Sequence, residues 1–398
     1  MIKVSHLNLN IYTLAVTNFL WGFVNFVFMI QIQPYLVSIY KTNDAVAQIL
    51  GLIISFGSLA AVIPLVLGFL SDLYGRKKNI IFGQILSILG LLGLVTGITD
   101  VLLLLPSIIL FNLGIGLYDA PLQGLIYESS TRNRGLAFSF IYNSSYLSGI
   151  TASFLLRVGD KDFTFFFQLG LFLILVSLLI NICLLHDIKP NVKKLDFPLI
   201  RILKNPTSRL IAFTFAIDAF IWGLPLSIAN TIYILVFKVD LSFIATLTLV
   251  ETIIMVLLAY PAGIFVDRFG RIAGLIVGEI LGIIWIILVF AAFFILAHAQ
   301  ELIILAYAFL GAVVAFWRPS VTLSFISIDS NAAATNFGIL AFIQRLGRVP
   351  AAGVAGFLFP IFGFPPLLLI TFFGTFIIIG VFYHMEKIEK FNNLQEMS

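Results

Sequence analysis

Seven ionisable residues interrupt otherwise apolar stretches of this sequence: Asp119, Asp218, Glu251, Glu279, Arg318, Arg345 and Arg348. A charge at the centre of a lipid bilayer costs about 2.5 to 3.5 kcal/mol on insertion scales, so such groups face a protein interior or a water-filled gap. Two kinds of chemistry follow. Guanidinium groups grip carboxylate or phosphate bidentately, which suits an anionic ligand. Four acids also face three bases, so full pairing leaves one acid over, and that acid could carry a coupling proton. Asp218 is the first choice for this role and Asp119 the second, because both sit on stretches that carry a polar stripe. Arg345 and Arg348 are three residues apart and share a helix face. They bias the reading toward a carboxylate- or phosphate-bearing solute, with pairing to Glu251 or Glu279 as the alternative. Enzyme chemistry finds little support. His298 and His384 fall at the ends of apolar stretches, no HExxH pattern occurs, and no nucleophile has an evident neighbouring base.

The elements holding these groups are read from composition. Hydrophobic residues make up 61% of the 398 and charged residues 11%, against about 45 to 50% and about 25% in ordinary soluble domains. A water-soluble enzyme is thereby nearly excluded. The 41 Phe and 30 Gly suit helices packed in lipid. A net charge of +4, scattered along the chain, gives no reason to expect nucleic acid. The single cysteine, Cys183, has no partner for an internal disulfide, and neither a metal nor a cofactor is expected.

Apolar runs lie near 11–38, 45–70, 79–99, 101–127, 135–157 and 163–186, then near 208–236, 242–266, 273–297, 301–326, 336–361 and 363–384. Each is long enough to cross about 30 Å of hydrocarbon as a helix, and their continuous rather than alternating apolarity argues against barrel strands. They are numbered spans 1 to 12 below. Met1 to Asn10 lacks a basic region and a cleavage site, so span 1 is expected to be retained. The boundaries predict a six-helix bundle over 1–186, a linker over 187–207 and a second bundle over 208–398. Sixteen lysines and arginines fall on the side of the termini and four on the other, which puts both termini in the cytoplasm.

The halves repeat each other. Gly68, Asp72, Gly75 and Arg76 between spans 2 and 3 recur in register as Gly263, Asp267, Gly270 and Arg271 between spans 8 and 9. The match continues from Gly83 and Gln84 to Gly278 and Glu279, and Trp21-Gly22 corresponds to Trp222-Gly223. Two halves of six crossings share an orientation, with a symmetry axis along the membrane normal. On these residues the chain resembles the major facilitator superfamily (MFS) of secondary transporters over essentially its whole length. That family's loop signature, Gly-x-Leu-Ala-Asp-Arg-x-Gly-Arg-Lys, is matched at Gly68, Leu70, Asp72, Gly75, Arg76 and Lys77, while Ser71 and Leu73 depart from it. The second copy keeps Gly263, Asp267, Arg268, Gly270 and Arg271. The glycines allow a tight turn, and Asp72 can hold Arg76 or cap the next helix. The resemblance adds that this loop latches the cytoplasmic ends of the two bundles; the alternative is a turn that only anchors helices and sets orientation. Glu128, Arg132 and Arg134 resemble the family's intracellular charge cluster.

Asn112, Gly116, Asp119 and Gln123 form one stripe on span 4, answered on span 10 by Gly311, Ala315, Arg318 and Thr322. Asp119 and Arg318 stand at equivalent depths and could meet across the bundle interface, or each could pair within its own half. Asn18, Gly22, Asn25 and Met29 line a face of span 1, and Asp218, Trp222 and Pro225 a face of span 7. The resemblance implies that spans 1, 4, 7 and 10 surround the substrate; the candidate contacts read from the residues are Asn18, Asn25, Asp119, Gln123, Trp222 and Arg318 on those spans, with Arg345 and Arg348 on span 11. The family's drug-antiporter hallmarks are weak here. Leu110 stands where an Arg would precede Gly114 and Gly116, and span 5 lacks Pro between Ser144 and Gly149, with only a faint echo at Pro350 and Gly353.

The expectation is therefore an all-α membrane protein of twelve transmembrane helices in two pseudo-symmetric six-helix bundles. It would be monomeric, multi-pass in the plasma membrane, and would move a small polar or anionic organic solute by alternating access with proton coupling. An exporter of amphipathic compounds, and a non-transporting sensor or lipid-moving protein, remain as alternatives.

Overall fold

A computed structural model describes residues 6–40, 45–59, 71, 75–97, 100–129, 134–159, 162–187, 206–326 and 333–396. The described residues contain no strand. Spans 1 to 6 are the helices His6–Ile39, Ala45–Leu59, Arg76–Val95, Val101–Ser129, Arg134–Val158 and Phe163–Leu184. Span 7 is broken into Pro206–Leu226 and Ala229–Phe237. Spans 8 to 12 are Leu241–Phe269, Arg271–Ala292, Ala299–Ile326, Ala333–Phe362 and Pro365–Glu396. Gly68 and Asp72, like most of the linker, lie outside the described residues.

Nine of the described helices are long and apolar enough to cross a membrane. Spans 2, 5 and 11 are not among them. Only 15 residues of span 2 are described, while spans 5 and 11 trade apolarity for a run of hydroxyls and amides (Asn143 to Ser148) and for Arg345 and Arg348. Span 12 continues past the predicted residue 384, since its polar tail contains no helix breaker. Two helices carry a proline beside a mid-span charge without breaking: Pro121 lies two residues beyond Asp119 and Pro319 one beyond Arg318. Each removes an amide donor from the helix ladder. Pro225 does the same at the break in span 7.

Local geometry bears out the repeat. Gly75 and Gly270 precede spans 3 and 9 with φ of 103° and 95°, a region closed to side chains with a Cβ. The amide of each donates four residues back, to Ser71 and Val266. At Gly83, where span 3 crosses span 4, an added Cβ would run into the backbone of Gly114 and Tyr118, so only small residues permit that approach.

The halves are joined unevenly along their length. At the end bearing the termini, Asn10 bonds His186 O at 3.0 Å and receives the His186 amide at 2.9 Å. Arg76 pairs with Glu128 at 2.7 Å. All of these lie within the first half. The second half has its own apolar core at that end, including Phe215, Leu275, Val321, Ile343 and Phe382. At the opposite end one continuous core joins both halves, with Val27, Ile30 and Leu36 beside Ile228, Tyr233, Ile244 and Phe364. A polar seal reinforces it. Gln33 Nε2 of span 1 donates to Ser227 O at 2.9 Å, and Gln33 Oε1 accepts from the Thr231 amide and hydroxyl at 2.9 and 3.0 Å. Among the described residues, the halves are thus joined away from the termini and no hydrogen bond joins them at the end bearing the termini.

Removing the seal should shift this balance. Each buried hydrogen bond contributes about 1 kcal/mol net, so losing the three of Gln33 in Gln33→Ala is expected to weaken the seal by about 3 kcal/mol and raise the population open at that end about a hundredfold. The readout is the rate at which an impermeant maleimide labels Asn230→Cys in a Cys183→Ser background; an unchanged rate would show that closure rests on the apolar core alone.

Candidate functional site: a charged gap between the halves

Asp119, Arg318 and Arg348 stand near the middle of long spans and are all exposed, with Arg345 half-buried beside them. Against acyl chains such exposure would cost several kcal/mol per charge. The surface they present is therefore the wet gap between the halves. Arg318 crosses it. Its Nη1 donates to the Tyr146 hydroxyl of span 5 at 2.8 Å, and its guanidinium lies 4.7 Å from the centre of the Tyr142 ring and 5.5 Å from that of Tyr146. The rings stack on each other 6.4 Å apart and offer the cation their negative faces. Arg318 therefore meets the opposite half, but through a tyrosine pair rather than through Asp119.

Asp119 has Arg345, and less strongly Arg318, as its electrostatic neighbours. Asp119 forms no direct ion pair among the described residues. Asp218 has Arg348. The arginines of span 11 thus divide between the acids of spans 4 and 7, and neither takes Glu251 or Glu279 as the sequence allowed. Glu251 sits on span 8 at the crossing with span 10, where its backbone closes on Gly311. Arg318, Arg345 and Arg348 consequently line the gap in the second half with loose counter-charges, leaving guanidinium donors available to a ligand.

Other residues marked from sequence fall on different surfaces. Asn18 is buried in the seam of spans 1 and 5, its amide given to Ile141 O at 2.9 Å. Asn25 is half-buried, with Oδ1 unpartnered. Gln123 reaches the Tyr142 hydroxyl and so supports the ring pair under Arg318. Trp222 is buried, packs over Gly282 and Trp285, and donates its indole N–H to Glu279 Oε2 at 2.9 Å. The pair Tyr142 and Tyr146 was not marked from sequence, although spacing by four on span 5 puts both on one face.

In the loop, Arg76 pairs with Glu128, while Asp72, the partner offered by the sequence, lies outside the described residues. Asp187, at the end of span 6, accepts the amides of Arg76 and Lys77 at 2.9 and 3.2 Å and so caps span 3. Lys77 Nζ donates to Ile182 O at 2.8 Å. The second copy is more open: Arg268 lies 5.4 Å from the Phe269 ring centre, Asp267 is exposed, and a Cβ on Gly263 would meet nothing. No latch bond between the halves occurs at this end among the described residues.

Comparison with known proteins places this arrangement. No curated protein matches the sequence. The model of the Major Facilitator Superfamily matches residues 14–352. Among solved structures, a mutant of the nucleoside transporter NupG superposes with a TM-score of 0.74 at 16% identity, covering 94% of this chain and 99% of that one. The human organic anion transporter MFSD10 (TETRAN) gives 0.74 at 13%, covering 94% and 99%. The peptide transporter POT in complex with sulfate gives 0.73 at 14%, covering 94% of each. At these identities the likeness speaks for fold alone. With a match running through most of both halves, on a fold held along nearly the whole chain, this multi-pass membrane protein belongs to the Major Facilitator Superfamily of secondary transporters.

Proposed function

We propose that the protein is a proton-coupled secondary transporter of a small organic solute bearing a carboxylate or phosphate. It would work by rocking a 1–186 bundle against a 208–398 bundle about the central gap, with 187–207 as the connecting linker. The observation that carries this reading is the set of three arginines on one wall of the gap, two of them exposed. A dissolved anion entering there would gain bidentate contacts that Asp119 and Asp218 do not already fill. Tyr142, Tyr146, Asn25 and Gln123 would complete the contacts from the first half. A solved relative named as an organic anion transporter and another holding sulfate agree in ligand charge.

The excess of lysine and arginine on the side of the termini supports a plasma-membrane protein with both termini cytoplasmic, so the gap as seen here would open to the cytoplasm. The Gly75 and Gly270 loops would meet as a latch only when that side closes. At the sealed end, a recess of about 470 Å³ lies between the halves, lined by Arg157, Lys238, Asp240 and Gln300. Its two cations would draw an anion toward the gap from that side. The chain would act as a monomer without catalysing a chemical change.

A ligand that prefers the folded state raises its stability, by about 2.7 kcal/mol at a hundred times its Kd. In a thermal-shift screen against organic acids, phosphate esters, sugars, amino acids and cationic drugs, acids or phosphate esters should raise the melting temperature. Arg348→Gln should abolish the rise. Stabilisation by cationic compounds alone would overturn the anionic reading. In proteoliposomes given a pH gradient, Asp218→Asn should lose accumulation of the identified solute while retaining exchange, and undiminished accumulation would remove Asp218 from the coupling.

A further inference from the structure

The repeat sets the same buried position in two chemical forms. In the first half, Gln84 of span 3 is fully buried and its Nε2 donates to Ser177 Oγ at 2.7 Å. Its Oε1 accepts from Asn181 Nδ2 at 3.0 Å, and Ser177 passes its proton on to Thr17 O at 3.2 Å. Every member is neutral. Gln84 and Glu279 correspond between spans 3 and 9, and the separate offset that pairs Trp21 with Trp222 between spans 1 and 7 also pairs Thr17 with Asp218. The second half therefore carries two acids where the first carries an amide and a hydroxyl.

Asp218 and Glu279 are 2% and 1% exposed, and their carboxyls lie within hydrogen-bonding reach of each other. The Trp222 indole serves Glu279 Oε2, whereas Asp218 Oδ1 has no partner. Span 12 supplies no help. Its buried Thr371 and Thr375 give their hydroxyl protons to backbone carbonyls at Ile221, Leu367 and Thr371. The charged group facing the pair from span 11 is Arg348, which itself feels Arg345 one turn away.

Two carboxylates have four acceptor oxygens and no hydrogen to place between them, and side by side in a protein interior they repel. One proton corrects both faults. It supplies the missing hydrogen and leaves a single negative charge, matched by the single guanidinium of Arg348. We propose that Asp218 and Glu279 form one proton-binding site, sharing a single proton between their carboxyls behind the arginine wall of the gap. The proton belongs to the pair rather than to either residue. This names the coupling site of the transport reading above and rests on that reading for its use. An anion seated on Arg348 takes over its positive charge, and the pair then accepts a second proton from water in the gap, so that anion and proton load together.

Infrared difference spectroscopy on the purified full-length protein at neutral pH reads the site without any solute, through the carbonyl stretch of a protonated carboxyl. Asp218→Asn and Glu279→Gln should each lose one such band, and the double variant should lose no more than either alone. A band retained in either single variant, or a double variant losing twice as much, would overturn the shared proton. Trp222→Phe, which leaves both acids in place, should shift the frequency of the band, and an unshifted band would equally count against the pair. Loss of proton-driven accumulation in Asp218→Asn with the band intact would keep the coupling reading and reject the shared proton. A shared band combined with undiminished accumulation would do the reverse.

Discussion

A guanidinium cannot rest against acyl chains, and three of them stand near the middle of spans 10 and 11. That constraint organises the rest of the molecule. Water or polar side chains must reach Arg318, Arg345 and Arg348, so the halves cannot close on each other along their full length. On one side of the gap a single apolar core joins both halves, while toward the termini the second half keeps a separate core of its own. The polar atoms of the seal at Gln33 are spent on one another, as burial in lipid demands. Those of the arginines are spent only in part, at the bond from Arg318 to Tyr146, and this difference separates a gate from a binding wall.

Pseudo-symmetry supplies the scaffold, and departures from it supply the chemistry. Gly75 and Gly270 hold the same backbone conformation at the same turn. The charge around them differs, because Arg76 is clasped by Glu128 while Arg268 lies over a phenyl ring. Gln84 and Glu279 occupy equivalent places, yet the first closes a neutral network with span 6 and the second faces another acid. Tyr146 brings the halves together at Arg318 without neutralising it. An aromatic hydroxyl can orient the cation and still leave it its charge, which an aspartate in the same place would have cancelled.

Much of the fold was legible because it is local. Continuous apolar runs can only be spans, and the turn glycines stand out through a repeat that any reader of the sequence can align. The mid-span charges were legible too, since their cost in lipid marks them. Asn18 shows where such reading ends. Its spacing placed it on the same stripe as Asn25, but the packing of span 1 against span 5 spends it on Ile141 O in a seam. Trp222 is similar: it is on the stripe of Asp218, and its ring turns into the bundle to serve Glu279. Asp187 could not be foreseen as the cap of span 3, because it lies 111 residues away in sequence.

The sequence by itself determined twelve apolar helices, their duplication in two halves, and a surplus of positive charge on one inner wall, since composition and periodicity act through each residue's own burial cost. Tertiary structure alone decided which acid faces which arginine, which polar residues are spent in seams, and which end of the gap is shut. Those outcomes depend on the tilt and rotation of helices packed across the bundle interface. A few degrees there exchange one partner for another without changing a single hydrophobic pattern.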